Sequence, residues 1–497
     1  MAFRISFSVL ILFFLASCKF GSEKETNRAS IHFAANGLNG AIPSGLIHDG
    51  KQYHLFYQGK ADSTMVKWGQ TTSTDLVQWQ KPTALTLPDS ATTINSASFA
   101  VDWDNTSGLA KGEQRPLIAI YQTVPDLTQH LAYSYDFGKT WGKYTERPVS
   151  LNTGTVSYKI SKIVWHEESQ KWILVLTGFD NVRFYSSDNL IDWQLSSTFS
   201  EVLDYISGEW DYADFFPLIA PESNQTKWVL MVSFHSLNPS SGAGTRSIIG
   251  DFNGSNFQPV HEKIKSIDYG RDNFAGITYT QNNNCYHIGC INNSVDVNLT
   301  GYSKSINSFT LPRKLSLSRN FNGYVVKSDP VEEINQLRGK KKLIAGADLK
   351  GVIAISEKQT LPYELNLTFN LNKLQWLNFA ENFGAEFLTD QGDKLTVAYN
   401  HTKRVFYINR QYKGKNNQTE FPIPDDYGPY IANQETLDIR IIVDHSSVEL
   451  FSGKGCVAMT EKLLPGMELN QIKLFAEGGE ITLKEGNVAS LKTINQF

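Results

Sequence analysis

From about residue 31 onward the apolar positions favour a period of two over one of 3.6. Runs such as Tyr53-His54-Leu55-Phe56-Tyr57 and Trp172-Ile173-Leu174-Val175-Leu176 are short and are closed off by Gly, Asn, Asp or Pro. Long helical periodicity is absent, so the chain is predicted to be all-β. A repeat is superimposed on the strands. Ser73-Thr74-Asp75 leads to Trp79, Ser134-Tyr135-Asp136 to Trp141, and Ser186-Ser187-Asp188 to Trp193. Ser and Asp side chains bond nearby backbone N–H groups, which suits tight turns. The spacing fits four-stranded propeller blades of about 40–50 residues with generous loops, each Trp packing between neighbours. These turns argue for architecture and not for ligand binding.

The pattern changes after about residue 335. Glu332 to Lys342 is charged and is expected to be a short connecting helix, with 336–345 as linker. Strands continue through 346–497 without the Ser-x-Asp repeat, most simply as a β-sandwich. The propeller is therefore assigned to 31–335.

The N-terminus reads differently. Met1 to Arg4 is a short positive start and Ile5 to Leu15 an apolar run too short to span a bilayer comfortably. Leu15-Ala16-Ser17-Cys18 then resembles a bacterial lipobox, with 1–17 as signal peptide and Cys18 as the acylated first residue. Residues 18–30 read as a tether. This implies a body held by lipid outside the cytoplasm, at a bacterial cell surface or outer membrane.

Composition adds exclusions. At 497 residues the chain has room for two or three domains, and its 41% hydrophobic and 19% charged residues are ordinary for a globular protein. A formal net charge of -4 carries no polyanion-binding signal, so nucleic acid is not an expected partner. Aromatics at 12% suit a strand-rich fold or a sugar-binding surface. Cys285, Cys290 and Cys456 form neither a disulfide framework nor a zinc spacing. No metal or cofactor is indicated.

Several segments, taken in order, resemble glycoside hydrolase family 32, the invertases, inulinases and levanases. Leu437 to Phe451, with Thr460 to Pro465 and the preceding Tyr399 to Arg410, resembles the sandwich signature. Tyr53 to Gln58, Trp68-Gly69, Leu76 to Trp79, Asp268 to Asp272 and Leu311 to Leu315 match in the propeller half. The resemblance implies a five-bladed β-propeller followed by a C-terminal β-sandwich, with an axial pocket facing a fructose ring. It also implies two catalytic carboxyl groups and a third, stabilising acid.

Each acid can be checked against its motif. A retaining glycosidase needs two carboxyl groups about 5–5.5 Å apart, one as nucleophile and one as acid/base. In the motif before Tyr53 to Gln58, the nucleophile position is Ile42, which has no lone pair; no acid lies between Ile31 and His48. The stabiliser position is Ile160, with Lys159 replacing a forked Arg, whose bidentate contact a Lys cannot reproduce. The acid/base position is Asp211 in Trp210-Asp211-Tyr212-Ala213-Asp214, one methylene shorter than Glu. Such shortening misplaces a proton donor by roughly 1 Å, which can cost about 100-fold. A further aromatic position is Cys290. Gln58, Trp68, Ser96 and Asp272 remain where they would line or support the pocket.

These substitutions imply a non-catalytic, cell-surface relative that binds levan- or inulin-type fructan for glycan capture. An outer-membrane glycan transporter complex is a fitting further partner. Trp103, Trp165, Tyr212 and Trp376 are candidate rim aromatics, since aromatic faces stack on sugar rings. Two alternatives stay open: an active β-fructosidase using displaced carboxylates, from among Asp102, Asp211, Asp214 and Asp272, or a structural subunit of a glycan-uptake complex.

Overall fold

The computed structural model describes residues 29–494 apart from 36, 62–65, 89–92, 147–148, 150, 152–156, 201–207, 237–242, 261–264, 293–307, 321–322, 356–357, 372–377, 413–418, 421–426, 431–434 and 465. Cys18 and Trp376 lie outside the described residues. The propeller half consists of five four-stranded antiparallel sheets, each built from consecutive strands. Their innermost strands are Asn39–His48, Thr93–Val101, Lys159–His166, Gly208–Ile219 and Asn273–Gln281, and these contact one another around a closed ring.

Apolar runs on inner strands fill the space between blades. In blade 4, Phe215 stacks on Trp228 at 4.6 Å and meets Phe252 and Phe257 edge-on. Burying each such ring stabilises by roughly 1.5–3 kcal/mol. The turn repeat works as expected in two blades. Asp75 Oδ1 accepts from the backbone N of Val77 and Gln78, and Asp136 Oδ1 from that of Thr140. In blade 3 the turn acceptor is Asn189, one residue past the expected Asp188. Asn189 Oδ1 accepts from Ile191 and Asp192. Asp188 points to solvent, 3.6 Å from Lys171. An amide oxygen serves an Asx turn as well as a carboxylate, and Asn189 keeps the distance to Trp193 that Asp75 keeps to Trp79.

The second half is one 12-stranded antiparallel sheet wrapped into a nearly closed sandwich around Phe369, Phe383, Val397, Leu450 and Leu474. The 21-residue strand Gln471–Leu491 runs through it and pairs with four others. Glu332–Leu337 is a short 3-10 helix. Residues 336–345, expected as linker, run from that helix into the strand Arg338–Ile344, which pairs with Gln471–Leu491 and so belongs to the sandwich.

The motifs that carry the resemblance meet where the two halves join. His32 lies 2.7 Å from Asp444 and 2.8 Å from Glu449. Arg313 reaches Glu449 and Asp268, each at 2.7 Å. Asp268 also accepts from the Thr460 backbone, and Arg410 approaches Glu461 at 3.4 Å. All of these side chains are buried. Burial alone would depress the His32 imidazole, but hydrogen bonds and charge from Asp444 and Glu449 outweigh it and push its pKa up to about 9. Burial opposes the charge on Glu449, yet Arg313 and His32 hold it down at about 2.

Candidate functional site

All five inner strands begin at the same end of the propeller, and each departs from regular pairing there. Gly40–Ala41 oppose Gly59 alone, and Asn95, Ser161 and Asp211 are each inserted between paired neighbours. Ala275–Gly276 oppose Gly289 alone. β-Bulges bend a strand and re-aim a side chain. All five lie at one level near the starts of the inner strands, and at Asp211 the carboxylate stands beside Lys159 and His235.

The mouth holds one charged cluster. Lys159 Nζ pairs with Asp211 Oδ1, and His235 Nε2 lies 3.2 Å from Asp211 Oδ2. These groups reach water: their side chains are 35%, 16% and 41% exposed for Lys159, Asp211 and His235. Burial pushes the Asp211 carboxyl up, but the His235 hydrogen bond and the Lys159 charge hold it below the usual carboxylate range. The Lys159 ammonium also sits 4.9 Å above the Tyr212 ring. Tyr212 and His235 both pack on Phe274, with centroids at 6.0 and 4.8 Å. Burial and the nearby Asp211 charge raise the Tyr212 hydroxyl well above its ordinary value.

The walls are apolar where acids were expected from the resemblance. Ile42 and Ile160 are buried at 8% and 3% exposure. Ile42 joins a cluster with Tyr57, Phe274 and Cys290, against which Tyr212 packs. Ile160 sits among Tyr158, Ile163 and Leu176. Gln58, Trp68 and Ser96 are buried and link neighbouring blades. Gln58 Nε2 donates to Asn95 O at 3.4 Å, Trp68 Nε1 to Ile94 O at 3.3 Å, and Ile160 N to Ser96 Oγ at 3.0 Å.

The other acids are placed elsewhere. Asp214 lies one strand repeat deeper, held by Lys162 at 2.9 Å, and Lys162 also donates to Thr278 O. Asp272 faces the sandwich, where its Oδ2 accepts from Lys462 N at 2.7 Å. Asp102 caps a loop by accepting from Thr106 and Ser107 N. Two expected rim aromatics belong to the opposite face. Trp165 follows Ile160 by five positions, about 17 Å along the strand. It meets Trp172 edge-on at 5.2 Å and donates to Glu167. Trp103 follows the far end of Thr93–Val101 and is 47% exposed. Strand direction decides this: only residues near an inner strand's start can reach the mouth.

Among the described residues, Tyr212 is thus the one aromatic expected at the rim that joins Asp211 there. His235 carried no motif. Its cross-strand place opposite Glu209 is a matter of hairpin register, and the bulge at Asp211 brings it to the carboxylate. Among the described residues, no group of three or more His, Cys, Asp or Glu could hold a metal ion.

Comparison with known families agrees with this geometry. Residues 32–330 match the glycosyl hydrolases family 32 N-terminal domain, and residues 333–492 match the family 32 C-terminal domain. The chain belongs to glycosyl hydrolase family 32. It is 30% identical over 489 residues to a levanase of Bacillus subtilis, covering 95% of this chain and 71% of the levanase. It is 27% identical to an extracellular exo-inulinase of Aspergillus awamori, over 91% of this chain and 92% of the inulinase. The crystal structure of an exo-inulinase from Aspergillus awamori superposes with a TM-score of 0.81 at 25% identity, covering 94% of this chain and 98% of that one. The chain is therefore related to fructan hydrolases, and its fold is theirs.

Chemically, among the described residues, the mouth offers the Asp211 carboxylate bound by Lys159 and His235. A general acid must hold its proton near the working pH. Asp211 is shifted the other way and remains ionised at neutral pH. Its neighbours are hydrogen-bond donors and an aromatic face, which suit sugar hydroxyls.

Proposed function

We propose that this chain binds a fructan-type glycan at the axial mouth without cleaving it. The observation that carries the reading is the Lys159–Asp211–His235 cluster. The one acid retained at the mouth is ion-paired and held ionised, while Ile42 and Ile160 stand where a nucleophile and a stabiliser would act. Asp211 and Lys159 present an acceptor and a donor to adjacent hydroxyls, and the Tyr212–Phe274 aromatic pair lines the wall beside them. Glycan capture at a bacterial surface, through a lipid on Cys18, is the setting this reading fits. An outer-membrane glycan transporter complex is the partner it fits.

The test is incubation with levan, inulin and sucrose, with release of fructose and oligosaccharides followed by chromatography. Affinity electrophoresis runs alongside on both polymers. Retardation without product is expected. Turnover that vanishes in Asp211→Ala would instead establish the second reading, an active β-fructosidase, which the similarity to levanase and exo-inulinase supports. Neither retardation nor product leaves the structural-subunit reading.

A further inference from the structure

We propose that the lysine-bearing edge of the sandwich, along Arg338–Ile344, is a docking face for an anionic lipid surface. The strand reads Arg338-Gly339-Lys340-Lys341-Lys342-Leu343-Ile344, and all but Ile344 are exposed. Its pairing among the described residues is with Gln471–Leu491 alone, so its other side is an open sheet edge. Two further exposed lysines flank it. Lys484 lies beside the strand break at Gly346, whose added Cβ would stand 2.6 Å from Lys484 O. Lys492 N donates to Leu337 O at 2.8 Å. Exposed Glu332 and Glu485 lie near this stretch and Glu364 pairs with Arg338, so the basic charge of the edge is that of its lysines.

Where the chain enters the fold supplies the second observation. Ile494 N donates to Ser30 O at 2.9 Å, just beyond the Lys492–Leu337 contact. The first described residues therefore emerge beside the start of the lysine strand. Lys340 to Lys342 lie about 7–13 Å farther along it. If Cys18 carries lipid, the ten residues 19–28 set an upper limit of about 36 Å between the lipid and the fold. A membrane-held Cys18 lets the start of this edge approach the headgroups to the roughly 8–10 Å over which lysines feel an anionic leaflet. Lysine on an edge strand also discourages strand-to-strand aggregation. Adherence to anionic lipid is what separates the two roles.

The inference rests on the anchor reading of Cys18, and two experiments separate their failures. Incorporation of labelled fatty acid into the wild type, and its loss in Cys18→Ala, tests the anchor alone. For the edge, residues 19–497 are used, because every described contact lies within 29–494. This protein is co-sedimented with phosphatidylcholine vesicles and with vesicles containing phosphatidylglycerol, at low and high salt. Binding only to the anionic vesicles, abolished by salt, is expected. Lys340→Glu/Lys341→Glu/Lys342→Glu is expected to weaken it at least 30-fold with its melting temperature kept, since exposed residues alone are changed. Equal binding to both vesicles, no binding to either, or an unchanged triple variant overturns the proposal. So does retention on soluble dextran sulfate without binding to vesicles.

Discussion

Replacing His32 by Gln tests whether the two halves of the molecule are held by a charged imidazole. In the native protein His32 bridges Asp444 and Glu449 with no exposure of any of the three side chains. Its pKa of about 9, against the ordinary histidine value of 6.5, is raised on folding. A raised pKa contributes stability that is fully present below pH 6.5 and is lost as the pH rises through 9. A rise from 6.5 to about 9 corresponds to about 3 kcal/mol. Spread over a unit of roughly 450 residues that unfolds cooperatively, this is a fall in melting temperature of about 3 °C between pH 6.5 and 9.5. The variant leaves two buried carboxylates short of a positive partner, so it should lose about 3–5 kcal/mol at pH 6.5. It should also lose the alkaline slope. Scanning calorimetry of both proteins across that range measures each quantity. A wild type whose melting temperature over this window runs parallel to that of His32→Gln would refute the reasoning.

At acid pH another histidine dominates. His287 is fully buried, and burial together with Arg313 lowers its pKa to about 3, so its contribution is present above pH 6.5 and fades as the pH falls towards 3. His287→Gln should flatten the loss of melting temperature on acidification. Gly276→Ala places a Cβ 2.1 Å from His287 Nε2 in the inner strand of blade 5. A destabilisation of about 1–3 kcal/mol is expected in denaturant titration. Lys159→Met should weaken fructan retardation about tenfold in affinity electrophoresis, by removing one charged donor. Ile42→Asp with Ile160→Asp should yield trace fructose release from levan over a long incubation; the double variant's circular dichroism spectrum checks that the fold survives.

Strand-forming runs, turn repeats and ordered motifs made the architecture readable before any coordinates. Those signals are local, and a propeller repeats them blade by blade. The apolar character of positions 42 and 160 was equally plain, because a residue type is read directly. Placement around the axis was not. Trp103 and Trp165 read as rim residues, yet strand direction carries them to the far face. Asp272 read as a pocket residue, yet it sits just before its inner strand and bonds to Lys462 of the sandwich. His235 gave no signal, since its meeting with Asp211 depends on hairpin register and a bulge. Arg338–Ile344 read as linker because its lysines mask an edge strand whose partner lies more than a hundred residues downstream.

The ring of irregular pairings at the axial mouth has an evolutionary consequence. Asp211 is inserted at its bulge, and Ile42 and Ile160 are the paired residues immediately beside theirs, so the backbone ladder that keeps the blades in register does not depend on which side chains these positions carry. A lineage could exchange acid for amine or hydrocarbon at this rim while the scaffold beneath kept folding. Kinship with fructan hydrolases and the proposed binding without cleavage are then compatible in one chain, and a new specificity could arise from a handful of codons.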